Sequence, residues 1–88
     1  MRVGPSAFKH GVEEADIEHA YRHHLVFVDF DPESDPPKVL LIGPDRTGNL
    51  LEVLLLVTDD EDDLSAIHAM RLRAAFFPLL PDEGGPTS

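Results

Sequence analysis

From residue 39 to residue 57 the chain is apolar except at a polar interruption, 43–49, and at Glu52. The runs 39–42 and 50–57 are each the length of a strand. The segment between them, Gly-Pro-Asp-Arg-Thr-Gly-Asn, is rich in turn formers. Pro44 presets its own φ, Gly48 and Asn49 tolerate positive φ, and Asp45 can bond the backbone that follows it. Gly43 and Pro44 together break a helix. The pattern predicts a β-hairpin, 38–42 against 50–58, closed by a loop around Arg46. A half-buried strand alternates apolar and polar residues, whereas these runs are apolar almost throughout. The hairpin is therefore expected at the centre of a sheet, covered on both faces. In so short a chain part of that cover can be another molecule.

The flanking patterns are more mixed. Residues 13–23 read as a helix: Ile17, Ala20 and Tyr21 recur at i, i+3, i+4. Its first turns hold Glu13, Glu14 and Asp16, and its last turn Arg22, His23 and His24, as the helix dipole favours. Residues 7–10 fit one helical turn with Ser6 as N-cap and Gly11 as stop, after a frayed start at 1–6. Residues 25–30 alternate in part and are rich in Val and Phe, which predicts a first strand. Residues 31–37 carry Pro32, Pro36 and Pro37 and read as a loop. A fourth strand is expected at 64–70, a short helix at 71–77 ending at Pro78, and a disordered C-terminal tail at 81–88. The order gives one α+β domain over residues 1–80. It is expected as a four-stranded antiparallel meander sheet with two N-terminal helices on one face and a short C-terminal helix.

Charge changes this picture more than size does. The 88 residues carry a formal charge of −10 and no cysteine. Disulfide and thiolate chemistry are excluded, and a cytoplasmic location is expected. No signal-peptide pattern opens the chain and no run is long enough to span a membrane. Four carboxylates fall in 29–35 and five consecutive ones in 59–63. The second run lacks the Asp/Asn alternation and central glycine of a calcium loop, so an acidic, solvated turn is expected there. Net acidity repels nucleic acid at long range, so any RNA contact needs a local basic cluster. Arg71 and Arg73 supply the clearest one.

Three stretches resemble one known family. Lys9-His10-Gly11-Val12, followed by 13–20, resembles the "KHGV" opening of the BrnT toxins. The polar turn and long apolar strand of 46–57 resemble that family's central hairpin. Ile67-His68-Ala69-Met70-Arg71-Leu72-Arg73 resembles its last strand, which runs from apolar to basic ahead of a terminal helix. The likeness extends over residues 8–80. It implies a RelE-like fold, pairing with a cognate antitoxin protein, and ribonuclease activity on messenger RNA.

Metal-independent RNA cleavage requires a base for the 2′-hydroxyl proton, an acid for the leaving oxygen and cations for the phosphorane charge. The side chains suited to those roles are Lys9, His10, Arg46, Glu52, His68, Arg71 and Arg73; no cofactor is called for. Strand alternation puts Leu50, Glu52, Leu54 and Leu56 on one face and Leu51, Val53, Leu55 and Val57 on the other. In the fourth strand His68 is expected to share a face with Leu64, Ala66 and Met70. Should Glu52 and His68 share a face, that face carries an acid–base pair with Arg71 and Arg73 at its end. In the alternative, Glu52 pairs with a surface cation, His68 is a packed, singly hydrogen-bonded core histidine, His10 caps the first helical turn and Lys9 is solvated. Asp16, His19 and His23 stack at i, i+3, i+7. Ala20 stands where a His-Glu-x-x-His protease needs glutamate, so a solvated polar helix face is expected there, not a metal site.

Two functional classes remain open on these grounds. One is a toxin-type endoribonuclease neutralised by an antitoxin. The other is a non-catalytic, oligomeric protein-interaction domain on the same fold. Both leave apolar sheet surface that a short C-terminal helix cannot cover. A homodimer or a docked partner segment is expected beside that helix.

Overall fold

The structure, a computed structural model, describes residues 1–58 and 63–81. Its elements in chain order are β1 (Arg2–Val3), a 3-10 helix (Pro5–Phe8), α1 (Glu14–Arg22), β2 (Val26–Asp31), β3 (Lys38–Pro44), β4 (Leu50–Val57), β5 (Leu64–Arg71) and a second 3-10 helix (Ala74–Leu79). The expected α+β class holds, with a correction to the sheet. It has five strands in the order β1-β5-β4-β3-β2, and β1 runs parallel to β5. The frayed start expected at 1–6 is instead an edge strand. Arg2 pairs with Ser65 and Val3 with Ala66, and Gly4 N–H continues the ladder to the Ala66 carbonyl at 2.9 Å. Two residues are too short a run to register as a strand by alternation.

Both ends of the chain also hold tighter helices than expected. The first helical turn is a 3-10 turn begun by Pro5, whose ring suits a helix start. Gly11 closes the segment with φ +81°, as its stop position requires. At the other end β5 runs on to Arg71, and the following 3-10 helix contains Pro78 instead of stopping before it. The acidic turn expected at 59–63 lies outside the described residues apart from Asp63, as does the tail expected at 81–88 apart from Pro81. Among the described residues no helix is long and apolar enough to cross a membrane.

The central hairpin forms as its pattern predicts, with Lys38 opposite Leu56 and Pro44 opposite Leu50. Asp45 organises its loop. One carboxylate oxygen accepts the Thr47 and Asn49 backbone N–H groups, each at 2.9 Å, and Gly48 takes φ +93°. Both hairpin faces are covered by the chain itself. On one face Ile17 and Ala20 of α1 and Ala7 pack against Leu41, Leu51, Val53, Leu55, Ala66 and Ala69. Gly43 permits this approach: a Cβ there would lie 2.3 Å from the Ala20 carbonyl oxygen. On the other face Leu72, Phe76 and Leu80 lie over Val26, Leu40, Ile42 and Leu54.

One irregularity interrupts the β4–β5 ladder. Across β4 and β5, Glu52 faces Met70, Val53 faces Ala69 and Leu54 faces His68, but Leu55 faces Ala66. Ile67 is thus an extra residue, a β-bulge, and it reverses the alternation of β5. Leu64 and Ala66 before the bulge and Ala69 after it all reach the α1 core. The sequence expectation that His68 shares a face with Leu64 and Ala66 is therefore corrected. His68 and Met70 lie on the opposite face, which is the face of Glu52.

Candidate functional site

Glu52 is the one buried charged residue among those described, 1% exposed in a strand of leucines and valines. An ionised carboxylate in such a place is costly unless charges and donors surround it. Three groups do so. His68 Nε2 is 3.0 Å from Oε2. The Arg73 guanidinium reaches both oxygens, Nε at 3.1 Å from each and Nη2 at 2.5 Å from Oε2. The Arg73 backbone N–H donates to Oε1 at 3.0 Å. Among the described residues no buried side-chain polar atom lacks a partner.

The geometry follows from the local sequence. The bulge at Ile67 turns His68 toward Glu52, diagonally across the strand pair. Leu72 N–H bonds the Leu50 carbonyl at 3.0 Å, which holds the chain against β4 just where Arg73 turns over the sheet. Arg73 is then the N-cap position of the second 3-10 helix, with extended φ and ψ. Its N–H, an orphan donor of that helix start, is used by Glu52.

Burial raises the pKa of Glu52, but the Arg73 side-chain and backbone bonds and the His68 bond outweigh it. The carboxyl titrates below its ordinary value. The same contact raises Arg73. With Glu52 ionised, His68 Nε2 must carry the hydrogen and donate it. The neutral imidazole then keeps its lone pair on Nδ1. His68 is partly exposed, and the exposed His10 lies edge-on to it, ring centroids 5.5 Å apart. Ser6 Oγ donates to the carbonyl of Ile67, the bulge residue, at 2.7 Å, tying the segment that leads into His10 to the bulge itself. The sequence reading had Ser6 as a helix cap; only the β1–β5 pairing, invisible in the pattern, puts it beside Ile67.

The predicted residues divide clearly. Glu52, His68, His10 and Arg73 come together. Arg71 ends β5 exposed and opposite Leu51, on the α1 side of the sheet, which corrects the expectation that it stands with Arg73 at the end of the Glu52 face; Lys9 is exposed next to His10. Arg46 does not join them through any bond. Its guanidinium holds Asp16 (Nε–Oδ1 2.8 Å) and Glu13 (Nη2–Oε1 2.8 Å), and its backbone N–H also meets Asp16. Hydrogen bonds to Asp16 raise Arg46 and lower the Asp16 carboxyl in return. Of the stacked helix residues, Asp16 is thus engaged by Arg46, and His19 Nδ1 lies 2.8 Å from the Pro44 carbonyl oxygen. The His19 and His23 rings stand 4.4 Å apart. Among the described residues no three such side chains are grouped to hold a metal ion.

Chemically, the cluster places two imidazoles side by side. A buried carboxylate fixes the hydrogen of one of them, and Arg73, half exposed, holds that carboxylate. That set is able to move a proton off one oxygen and onto another while cations offset charge on a phosphate. Comparison with family models, curated proteins and solved structures finds no match to this chain.

Proposed function

We propose that the chain is a toxin-type, metal-independent endoribonuclease of the BrnT kind, acting in the cytoplasm and neutralised by a cognate antitoxin. The observation that carries this reading is the edge-on His10–His68 pair with Glu52 bonded behind His68. In this reading His68 Nδ1 takes the proton of the 2′-hydroxyl. The freed oxygen attacks the adjacent phosphorus, a cyclic phosphate forms, and the bond to the 5′-oxygen breaks. Protonated His10 supplies the proton to that leaving oxygen. Lys9 and the exposed part of Arg73 balance the charge of the phosphorane. Glu52 touches no substrate; it is a positioning residue that fixes the tautomer of His68.

The test is expression of the chain alone, with and without His68→Ala, followed by growth and by the integrity of messenger RNA. Arrest with RNA loss, relieved by His68→Ala, supports the proposal. A wild-type chain that neither slows growth nor cleaves RNA sinks it. A pH–rate profile displaced by Glu52→Gln, with the fold intact, separates positioning from mere support.

A second reading, a non-catalytic interaction domain, is favoured by a specific feature: Arg73, the best-placed cation, is already bonded to Glu52 in a chain of charge −10. It predicts no RNA retention at low salt and recovery of a protein partner. The homodimer belongs to this part of the proposal, through half-buried Leu54 and Leu56 and the exposed Phe77 and Leu79.

A further inference from the structure

Among the described residues the sheet ends on one side at β2, which pairs with β3 alone. The other edge, β1, is two residues long. In β2 every residue after Val26 is exposed, and Phe27, Val28 and Phe30 are 41%, 40% and 46% exposed. These side chains lie on both faces of the strand. Phe27 sits opposite Leu41 on the α1 side and Val28 opposite Leu40 on the other, while Phe30 meets Phe76 edge-on at 6.2 Å. Natural edges are blunted by lysine, proline or a bulge. Here the bulge falls only at the far end, between Asp29 and Asp31, and residues 26–29 run in regular register. The result is an unpaired ladder with apolar groups above and below it, the arrangement that adds a strand from a partner.

Charge selects the occupant. Asp29 and Asp31 are exposed and, among the described residues, neither is in an ion pair. Glu33 and Asp35 follow directly in the sequence. A second copy pairing through β2 would bring no cation to these carboxylates, since 26–31 holds no basic residue, and would join two chains of charge −10 each. We propose that the outer edge of β2 accepts an extended segment of a basic partner protein as an added strand. Its apolar side chains would cover Phe27, Val28 and Phe30, and its Lys or Arg residues would meet Asp29 and Asp31. This is independent of whether the chain cleaves RNA.

The test uses the full chain and three capped octapeptides: alternating Lys and Val, alternating Glu and Val, and the Lys–Val peptide N-methylated at alternate backbone nitrogens. Binding is followed by amide shifts in NMR. The Lys–Val peptide should bind and shift β2 resonances, and slow hydrogen exchange along that strand. The Glu–Val peptide should bind at least ~10-fold more weakly, since two close charge pairs change sign. The N-methylated peptide should lose binding, because it keeps charge but cannot complete the ladder. Replacing Asp29 and Asp31 together by Lys should invert the charge preference; Asp29→Asn with Asp31→Asn should abolish it and serves as the milder variant. Equal binding of the N-methylated peptide, shifts centred outside β2, no binding at all, or self-association of the chain through β2 would each overturn the proposal.

Discussion

Glu52 Oε2 and His68 Nε2 meet at 3.0 Å although neither residue is the other's partner in the strand ladder: Glu52 faces Met70 and His68 faces Leu54. The contact is diagonal, and it places a titratable ring at the end of a buried carboxylate that Arg73 already neutralises.

Removing Arg73 tests that balance. Arg73→Ala leaves the buried Glu52 with His68 and the backbone N–H of residue 73, and should lower stability near neutral pH by urea unfolding, by less than breaking a fully buried pair because Arg73 is half solvated. Its carboxyl pKa should rise, so the loss shrinks in acid as the group becomes neutral. Glu52→Gln should rescue part of the loss, with a coupling of about 1 kcal/mol or more in the double-mutant cycle. Additive effects would mean the two side chains act separately.

Acid should destabilise the fold through the same carboxylate. The Glu52 pKa lies below its ordinary value of 4.5 in the folded chain. Its contribution is therefore fully present above the unfolded pKa and is lost as pH falls through the folded one. Asp16 and Asp63 are lowered in the same direction, by bonds from Arg46 and, for Asp63, Thr58 ahead of Arg2. Melting temperature should drop steeply between about pH 5 and pH 3, and Glu52→Gln should flatten that slope. An unchanged slope would place the acid sensitivity elsewhere.

Activity should separate the basic candidates. His10→Ala should lower RNA cleavage by about 10²-fold or more and, being exposed, change stability by under about 0.5 kcal/mol. Arg46→Ala should leave cleavage within about twofold and change the unfolding midpoint little, since Arg46 is itself half exposed and its ion pairs with Glu13 and Asp16 lie at the surface end of α1. The reverse result in a purified-RNA assay would move the site to the hairpin loop.

Gly43→Ala probes the seat of α1. The added methyl would meet the Ala20 carbonyl oxygen at 2.3 Å, a backbone atom that no side-chain motion relieves. A loss of about 2–3 kcal/mol in thermal or urea unfolding is expected. A neutral outcome would show that α1 shifts freely on the sheet.

The central hairpin, α1 and the both-faced burial were legible because they are written as repeating patterns: runs of leucine and valine, and the Ile17–Ala20 spacing. The Glu52–His68–Arg73 grouping was legible as a possibility, since a lone carboxylate in an apolar strand demands a cation. Its geometry was not. It depends on one irregular residue, Ile67, whose side chain type gives no sign of a bulge. β1 was missed for a related reason: its pairing with β5 is made by backbone groups across most of the chain's length. Arg46 looked as suited to phosphate as Arg73, and only the fold shows that α1 brings Glu13 and Asp16 to it.

Strand β5 must satisfy two demands of opposite phase: Leu64, Ala66 and Ala69 all point into the α1 core, yet His68 must not. A strict every-other-residue rhythm cannot meet both, and Ile67 resolves the conflict by adding a half-step. Chain length within this strand is thereby part of the site, independent of side-chain identity. Ile67→Ala preserves the count and should keep His68 on Glu52 with most of the activity. Deleting Ile67 restores the simple rhythm, sends the histidine into the core or slides the strand, and should abolish cleavage and destabilise the fold together.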